Sequence, residues 1–180
     1  VDPNNADVCY ATDDGRTIKT RDGGKTWQAV YSQLTPDGGW TTTGLDVTTN
    51  YGVHFDPFDH KRIFVGYTDI GLFRSENGGK SWFSATTGVP RRWVNTTYWV
   101  VFDPQAKGRA WGAMSGIHDL PRPKMWQTEP PSSYIGGACR SEDGARTWDC
   151  ASNMPQTALT HILLDSKSPV NSRTLYATGF

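Results

Sequence analysis

One eight-residue pattern occurs three times: TRDGGKTW at 20–27, SENGGKSW at 75–82 and SEDGARTW at 141–148. Its chemistry is that of a tight turn. Asp22, Asn77 or Asp143 can accept hydrogen bonds from backbone amides of its own turn, and the Ser or Thr two positions earlier (Thr20, Ser75, Ser141) adds a hydroxyl. Gly24 and Gly79 can take the left-handed conformation such a turn needs. Trp27, Trp82 and Trp148 close the octets, and each is expected to open a strand and bury its ring against a sheet. Asn77 replaces Asp in the second copy and Ala145 replaces Gly in the third, which weakens those turns slightly.

The octets anchor longer units. VDPNNADVCYATDDGRTIKTRDGGKTW aligns with HFDPFDHKRIFVGYTDIGLFRSENGGKSW, and VFDPQAKGRAWGAMSG, after an interruption, joins GGACRSEDGARTW. A fourth copy starts at LLDSKSPVNSRTLYATGF. Each unit reads as strand, Asp-Pro or Asp-Ser turn, strand, loop, strand, octet, strand. Eight Trp, 19 Gly and 11 Pro, with no sustained helical periodicity, agree with an all-β chain. Four antiparallel strands per unit predict β-propeller blades at 1–31 (mainly its second to fourth strands), 51–85 and 98–151, with a long insertion at 117–135. The first two strands of a further blade follow at 158–180. About three blades do not close a ring and would leave open sheet edges. The expectation is a segment of a larger propeller, completed by the same chain or by other subunits.

The formal net charge is +0, which gives no global attraction to nucleic acid or anionic membrane. No run of apolar residues is long enough for a membrane-spanning helix. Beginning at Val1 without a signal sequence, the chain reads as processed or as a piece of a longer one. Cys139 and Cys150 flank the third octet. If that octet is a hairpin turn they face each other and can form a disulfide; the alternative is two unpaired thiols. Cys9 reads as a buried strand residue, and Asn95-Thr96-Thr97 is formally a glycosylation sequon.

The octet resembles the Asp-box (BNR repeat) of sialidases, xyloglucan-cleaving glycosidases, sortilin-type receptor domains and photosystem II assembly factors. That resemblance implies a propeller in which the octets are structural and lie away from the substrate face.

Surplus length falls in the links 32–50 and 86–97 and in the insertion 117–135, expected together at the opposite face. These segments carry Trp40, Trp93, Trp126 and Tyr134 among Arg91, Arg122 and His118. Aromatic platforms beside charged groups suit a glycan; alternatively the aromatics pin the loops or pack on a partner. TDIGLFR at 68–74 resembles the TDIGG stretch of xyloglucan-cleaving glycosidases, although Leu72 stands where the family has Gly. The resemblance implies that Asp69 is the base of an inverting glycosidase, against the simpler reading of an Asp capping its own loop. Inversion needs a second carboxylate roughly 6.5–9.5 Å away; Asp46 and Asp119 are weak candidates for the acid. Three arginines and a Tyr–Glu pair cannot be assigned, so a sialidase is not expected. No metal site, cofactor or nucleic-acid motif is found. The expected function is a secreted or periplasmic glycan-binding propeller with possible xyloglucanase-like hydrolysis; the alternative is a non-catalytic interaction or assembly scaffold.

Overall fold

The computed structural model describes residues 1–12, 16–43, 48–120, 122–123 and 130–180. Asp46 and Trp126 lie outside the described residues. A three-stranded antiparallel sheet comes first, β1 (Cys9–Thr12), β2 (Thr17–Thr20) and β3 (Gln28–Ala29), and a hairpin follows, β4 (Ser32–Leu34) and β5 (Trp40–Thr42). Two four-stranded meanders come next. The first is β6 (Asn50–Asp56), β7 (Asp59–Tyr67), β8 (Leu72–Ser75) and β9 (Phe83–Ser84). The second is β10 (Thr96–Phe102), β11 (Ala110–Ser115), β12 (Gly136–Ser141) and β13 (Asp149–Cys150). The pair β14 (Leu159–Leu164) and β15 (Leu175–Gly179) ends the chain. Among the described residues no sheet closes on itself.

The β10–β13 sheet is buried on both faces, and its sequence shows why. Every residue of β11, AWGAMS, is buried. Ala110 and Met114, with Val100 and Cys139, pack against Phe64, Leu72, Ala85 and Trp148, which ties this sheet to β6–β9. The alternate residues Trp111 and Ala113, with Tyr98, meet Leu159, Ile162 and Leu164 of β14. A strand with both faces covered has no polar side, so its apolar run is continuous. Each large side chain so buried contributes about 1.5–3 kcal/mol. The outer faces are open: Val53 and Phe55 of β6 are 52% and 58% exposed, and the cross-strand pair Leu163 and Tyr176 is 56% and 61% exposed.

The turn before β1 and those joining β6 to β7, β10 to β11 and β14 to β15 share one device. An Asp carboxylate accepts the amide two residues on: Asp2 from Asn4 and Asp56 from Phe58 at 2.8 Å, Asp103 from Gln105 and Asp165 from Lys167 at 2.9 Å. Asp56 and Asp103 are fully buried and ion-paired. Arg62 reaches Asp56 at 2.7 Å, and Arg173, from the neighbouring pair of strands, donates to both Asp103 oxygens at 2.7 and 2.8 Å. A bidentate guanidinium satisfies a buried carboxylate that would otherwise be strongly destabilising.

All three octets fold alike. The amide of Gly24, Gly79 or Ala145 donates to the hydroxyl of Thr20, Ser75 or Ser141 at 2.9–3.0 Å. The amide of Thr26, Ser81 or Thr147 donates to Asp22, Asn77 or Asp143 at 2.9–3.0 Å. Ala145 takes the left-handed φ of 58° that the glycines take elsewhere, and it is fully buried in the core. Of the closing tryptophans, Trp148 meets the expectation of burial and Trp27 does not. Trp148 is buried and its indole N–H donates to Ala85 of the preceding sheet at 2.8 Å. Trp27 is 41% exposed, and its N–H turns back to Gly24 at 3.1 Å.

Cys139 and Cys150 face each other across β12 and β13 and form a disulfide, whereas Cys9 is a free, half-buried thiol. The bond spans 11 residues of sequence and staples the third octet. Replacing both cysteines by serine should cost roughly 2–3 kcal/mol of unfolding free energy from the released loop entropy, read by denaturant unfolding with and without reductant.

Asp22 titrates at about 2, held down first by the Thr26 hydroxyl, then by the Thr26 amide and Thr20. For Asp143 burial pushes the pKa up, but bonds from Thr147, Ser141 and Arg146 outweigh it and it also falls to about 2. Both carboxylates are depressed, so their stabilisation is complete above the unfolded pKa of 3.8 and is lost as pH falls towards about 2. The double variant Asp22→Asn, Asp143→Asn keeps the acceptor, as Asn77 does naturally. Thermal melts from about pH 5 to pH 2 should show a shallower acid loss than in the parent protein.

Candidate functional site

At the end of the sheets opposite the octets, backbone contacts between neighbouring sheets gather three loops. The turn 68–71 between β7 and β8 is closed by the Ile70 amide on Thr68 and the Tyr67 amide on Gly71. Gly71 donates to Asn95 at 3.2 Å, which brings the approach to β10 alongside. The start of the 117–135 insertion is pinned by two tyrosines. Tyr98 accepts the Leu120 amide at 3.0 Å and donates to the Ile117 carbonyl, while Tyr51 accepts the Asp119 amide at 3.3 Å. The two rings lie 4.5 Å apart, and burial pushes both phenols up.

Asp69 sits at the centre with a left-handed φ of 66°. A non-glycine residue pays about 1 kcal/mol for this, a strain that clusters at functional sites. Its Oδ1 meets His118 Nδ1 at 2.5 Å and accepts from Asn95 at 3.3 Å, and its Oδ2 accepts from Thr68 at 2.9 Å. Burial pushes the carboxyl up, but His118, Thr68 and Asn95 together hold it below the ordinary carboxylate value. The side chains of Asp69 and His118 are nonetheless 46% and 42% exposed. An ionised carboxylate backed by an imidazole and open to solvent can accept hydrogen bonds from ligand hydroxyls or a proton from water.

His118 and Asp119 diverge. His118 crosses to Asp69 of the neighbouring sheet, while Asp119, also left-handed at φ 56°, takes a 3.5 Å bond from Tyr51 and lies 3.5 Å from the exposed Arg122. Asp69, His118, Asp119 and Arg122 thus share one end of the fold.

Other sequence candidates lie elsewhere or are covered. The 32–50 link does not run wholly to this end. Its hairpin folds back so that Asp37 accepts from Ser81 at 2.6 Å and Asn77 at 3.3 Å in the second octet. Trp40, half exposed, exchanges backbone bonds with Trp82 there, at the opposite end of β8 from Asp69, so it offers no platform beside that carboxylate. Trp93 and Tyr134 are 3% and 1% exposed and pack in the two cores; a ring face that is covered cannot stack on a sugar. Arg91 is exposed in a short 3-10 turn, Arg91–Trp93. Thr68, Asn95 and Tyr51 hold the site but were not singled out for it. Thr68 opens the TDIGLFR stretch and Asn95 the sequon, whereas Tyr51 carries no signal in the sequence. Among the described residues no group of three or more His, Cys, Asp or Glu is placed to hold a metal ion.

No protein-family profile matches the chain. Over 68 residues it is 34% identical to an oligoxyloglucan-reducing end-specific xyloglucanase of Emericella nidulans, a match covering 35% of this chain and 8% of that protein. An ancestral GH74 enzyme superposes with a TM-score of 0.51 at 17% identity, over 89% of this chain and 18% of the other. A GH74 enzyme from Niastella koreensis gives 0.48 at 20% identity, over 92% and 22%. The chain therefore spans less than a tenth of the curated relative and about a fifth of these solved structures. The first structural likeness supports the all-β, propeller-like fold.

Removing the imidazole should release Asp69. In His118→Ala the carboxyl pKa is expected to rise towards its ordinary value, since a bond that lowers it is lost; carboxyl-carbon NMR titration of both proteins checks this.

Proposed function

We propose that this chain is a segment of a secreted Asp-box β-propeller whose loop-rich end recognises a glycan and carries xyloglucanase-like glycoside hydrolysis, with Asp69 as the base. The observation that carries the reading is the exposed, conformationally strained Asp69 carboxylate, gathered with His118, Asp119 and Arg122 by loops of two sheets. The match to a xyloglucan-acting enzyme supports the substrate class. In this reading Asp69 takes the proton of the attacking water, Asp119 is the candidate for a second carboxyl, and His118 and Arg122 contact sugar hydroxyls. The disulfide suits an oxidising compartment. In this reading β1–β3, β6–β9, β10–β13 and β14–β15 are blades, and the open faces at Val53/Phe55 and Leu163/Tyr176 are where further blades pack, from the same chain or from other subunits.

A specific observation favours a second reading. The Asp69 carboxylate already takes three hydrogen bonds, two of which, from Asn95 and His118, join neighbouring sheets, which is also what a clamp in a non-catalytic interaction or assembly scaffold would do. Asp69→Ala in the full-length protein separates the two. Hydrolysis of xyloglucan oligosaccharides should fall roughly 10²–10⁴-fold if Asp69 is the base, with the melting transition retained. Unchanged turnover, measured by release of reducing ends, would remove Asp69 from the chemistry.

A further inference from the structure

A second cavity lies between the two links that follow the four-stranded sheets. Pro90, Arg92 and Trp93 form one wall, and Cys150, Ala151, Ser152 and Gln156 the other, around about 140 Å³. Trp93 is 3% exposed, and its indole N–H, a group that can only donate, has no partner among the described residues. Such a buried donor is costly unless something accepts from it. The far edge of the ring is locked, since a Cβ on Gly137 would come within 2.8 Å of it. Arg92 spans the cavity, its Nη2 lying 3.5 Å from Gln156 Oε1. That contact occupies the amide oxygen and leaves the Gln156 NH₂ as a donor. The Cys139–Cys150 disulfide holds the second wall in place.

The lining residues carry donor groups: the Trp93 indole N–H, the Arg92 guanidinium, the Gln156 NH₂ and the Ser152 hydroxyl. Among the described residues the lining has no carboxylate, and Arg92 is its one charged side chain. We propose that this cavity binds a small carboxylate, with Arg92 pairing its charge and Trp93 Nε1 donating to one oxygen. The site is separate from Asp69 and does not depend on hydrolysis. Its volume suits a carboxylate carried on a short chain or at the edge of an acidic sugar ring.

The test is a titration of the ¹⁵N-Trp-labelled protein with acetate, glucuronate and glucose at constant ionic strength. The Trp93 indole signal, assigned by its loss in Trp93→Phe, should shift with acetate and glucuronate and stay in place with glucose. Tighter binding of glucuronate than acetate would identify an acidic sugar; equal binding would identify any carboxylate end. Arg92→Gln, on an exposed residue that does not hold the core, should weaken binding by about tenfold or more. An indole signal unmoved by either acid, an equal response to glucose, or full binding by Arg92→Gln would each overturn the proposal.

Discussion

The spacing of neighbouring sheets is set where backbone meets backbone without a side chain between. A Cβ on Gly66 of β7 would lie 2.4 Å from the Thr97 carbonyl oxygen, and one on Gly116 would lie 2.2 Å from that of Arg92. No other residue fits at either point without moving a strand or a link. Both contacts lie towards the end of the sheets that carries the long loops. They draw the 68–71 turn, Asn95 and the start of the insertion into one cluster, so that His118 can reach an aspartate in a different sheet. The apolar cores around Trp148 and Ile162 then fill the space that this convergence leaves.

The two ends of the sheets solve their polar problem differently. At the octet end each turn satisfies itself, because the Asp or Asn and the hydroxyl residue supply acceptors to amides of the same loop. Charges there bridge sheets rather than face outward for a ligand: Arg146 meets Glu76 at 2.6 Å, and Arg74 donates to the Ala145 carbonyl. At the loop end the bonds are longer in range and incomplete. Asp69 borrows its donors from residues 26 and 49 positions away, and it remains nearly half exposed. Self-sufficient turns can be repeated along a chain; a site assembled from several loops is made once.

Asp69 also shows how structure and chemistry compete for one carboxylate. Its three donors favour the ionised form, which a base requires, yet the same bonds lower its proton affinity. A ligand hydroxyl or water must work beside His118 rather than displace a loosely held solvent shell. The left-handed backbone at Asp69 keeps the carboxylate in the path of both neighbours, and the tyrosine pair beneath Asp119 stops the insertion from carrying His118 away.

Much of the architecture was legible in the sequence because its causes are local. The octets announce their own turns: Asp22, Asn77 and Asp143 bond amides within a few residues, and Cys139 and Cys150 face each other because a hairpin of that length leaves them opposite. The Asp-Pro and Asp-Ser turns mark the strands for the same reason. The site was only partly legible. Asp69 and His118 stood out as residues, but their 2.5 Å contact depends on how two sheets stack, and no local pattern encodes that. Trp93 and Tyr134 look like platforms in a list of loop residues, yet the cores absorb them. Trp40 was drawn to the octet end by a hairpin whose partner, the second octet, lies about forty residues further on. Sequence alone determined the octet turns and most strands and put Cys139 and Cys150 within reach of each other, since each closes over short separations. Only the tertiary structure decided which aromatics are buried and which carboxylate meets the imidazole, because those outcomes depend on the packing of one sheet against the next.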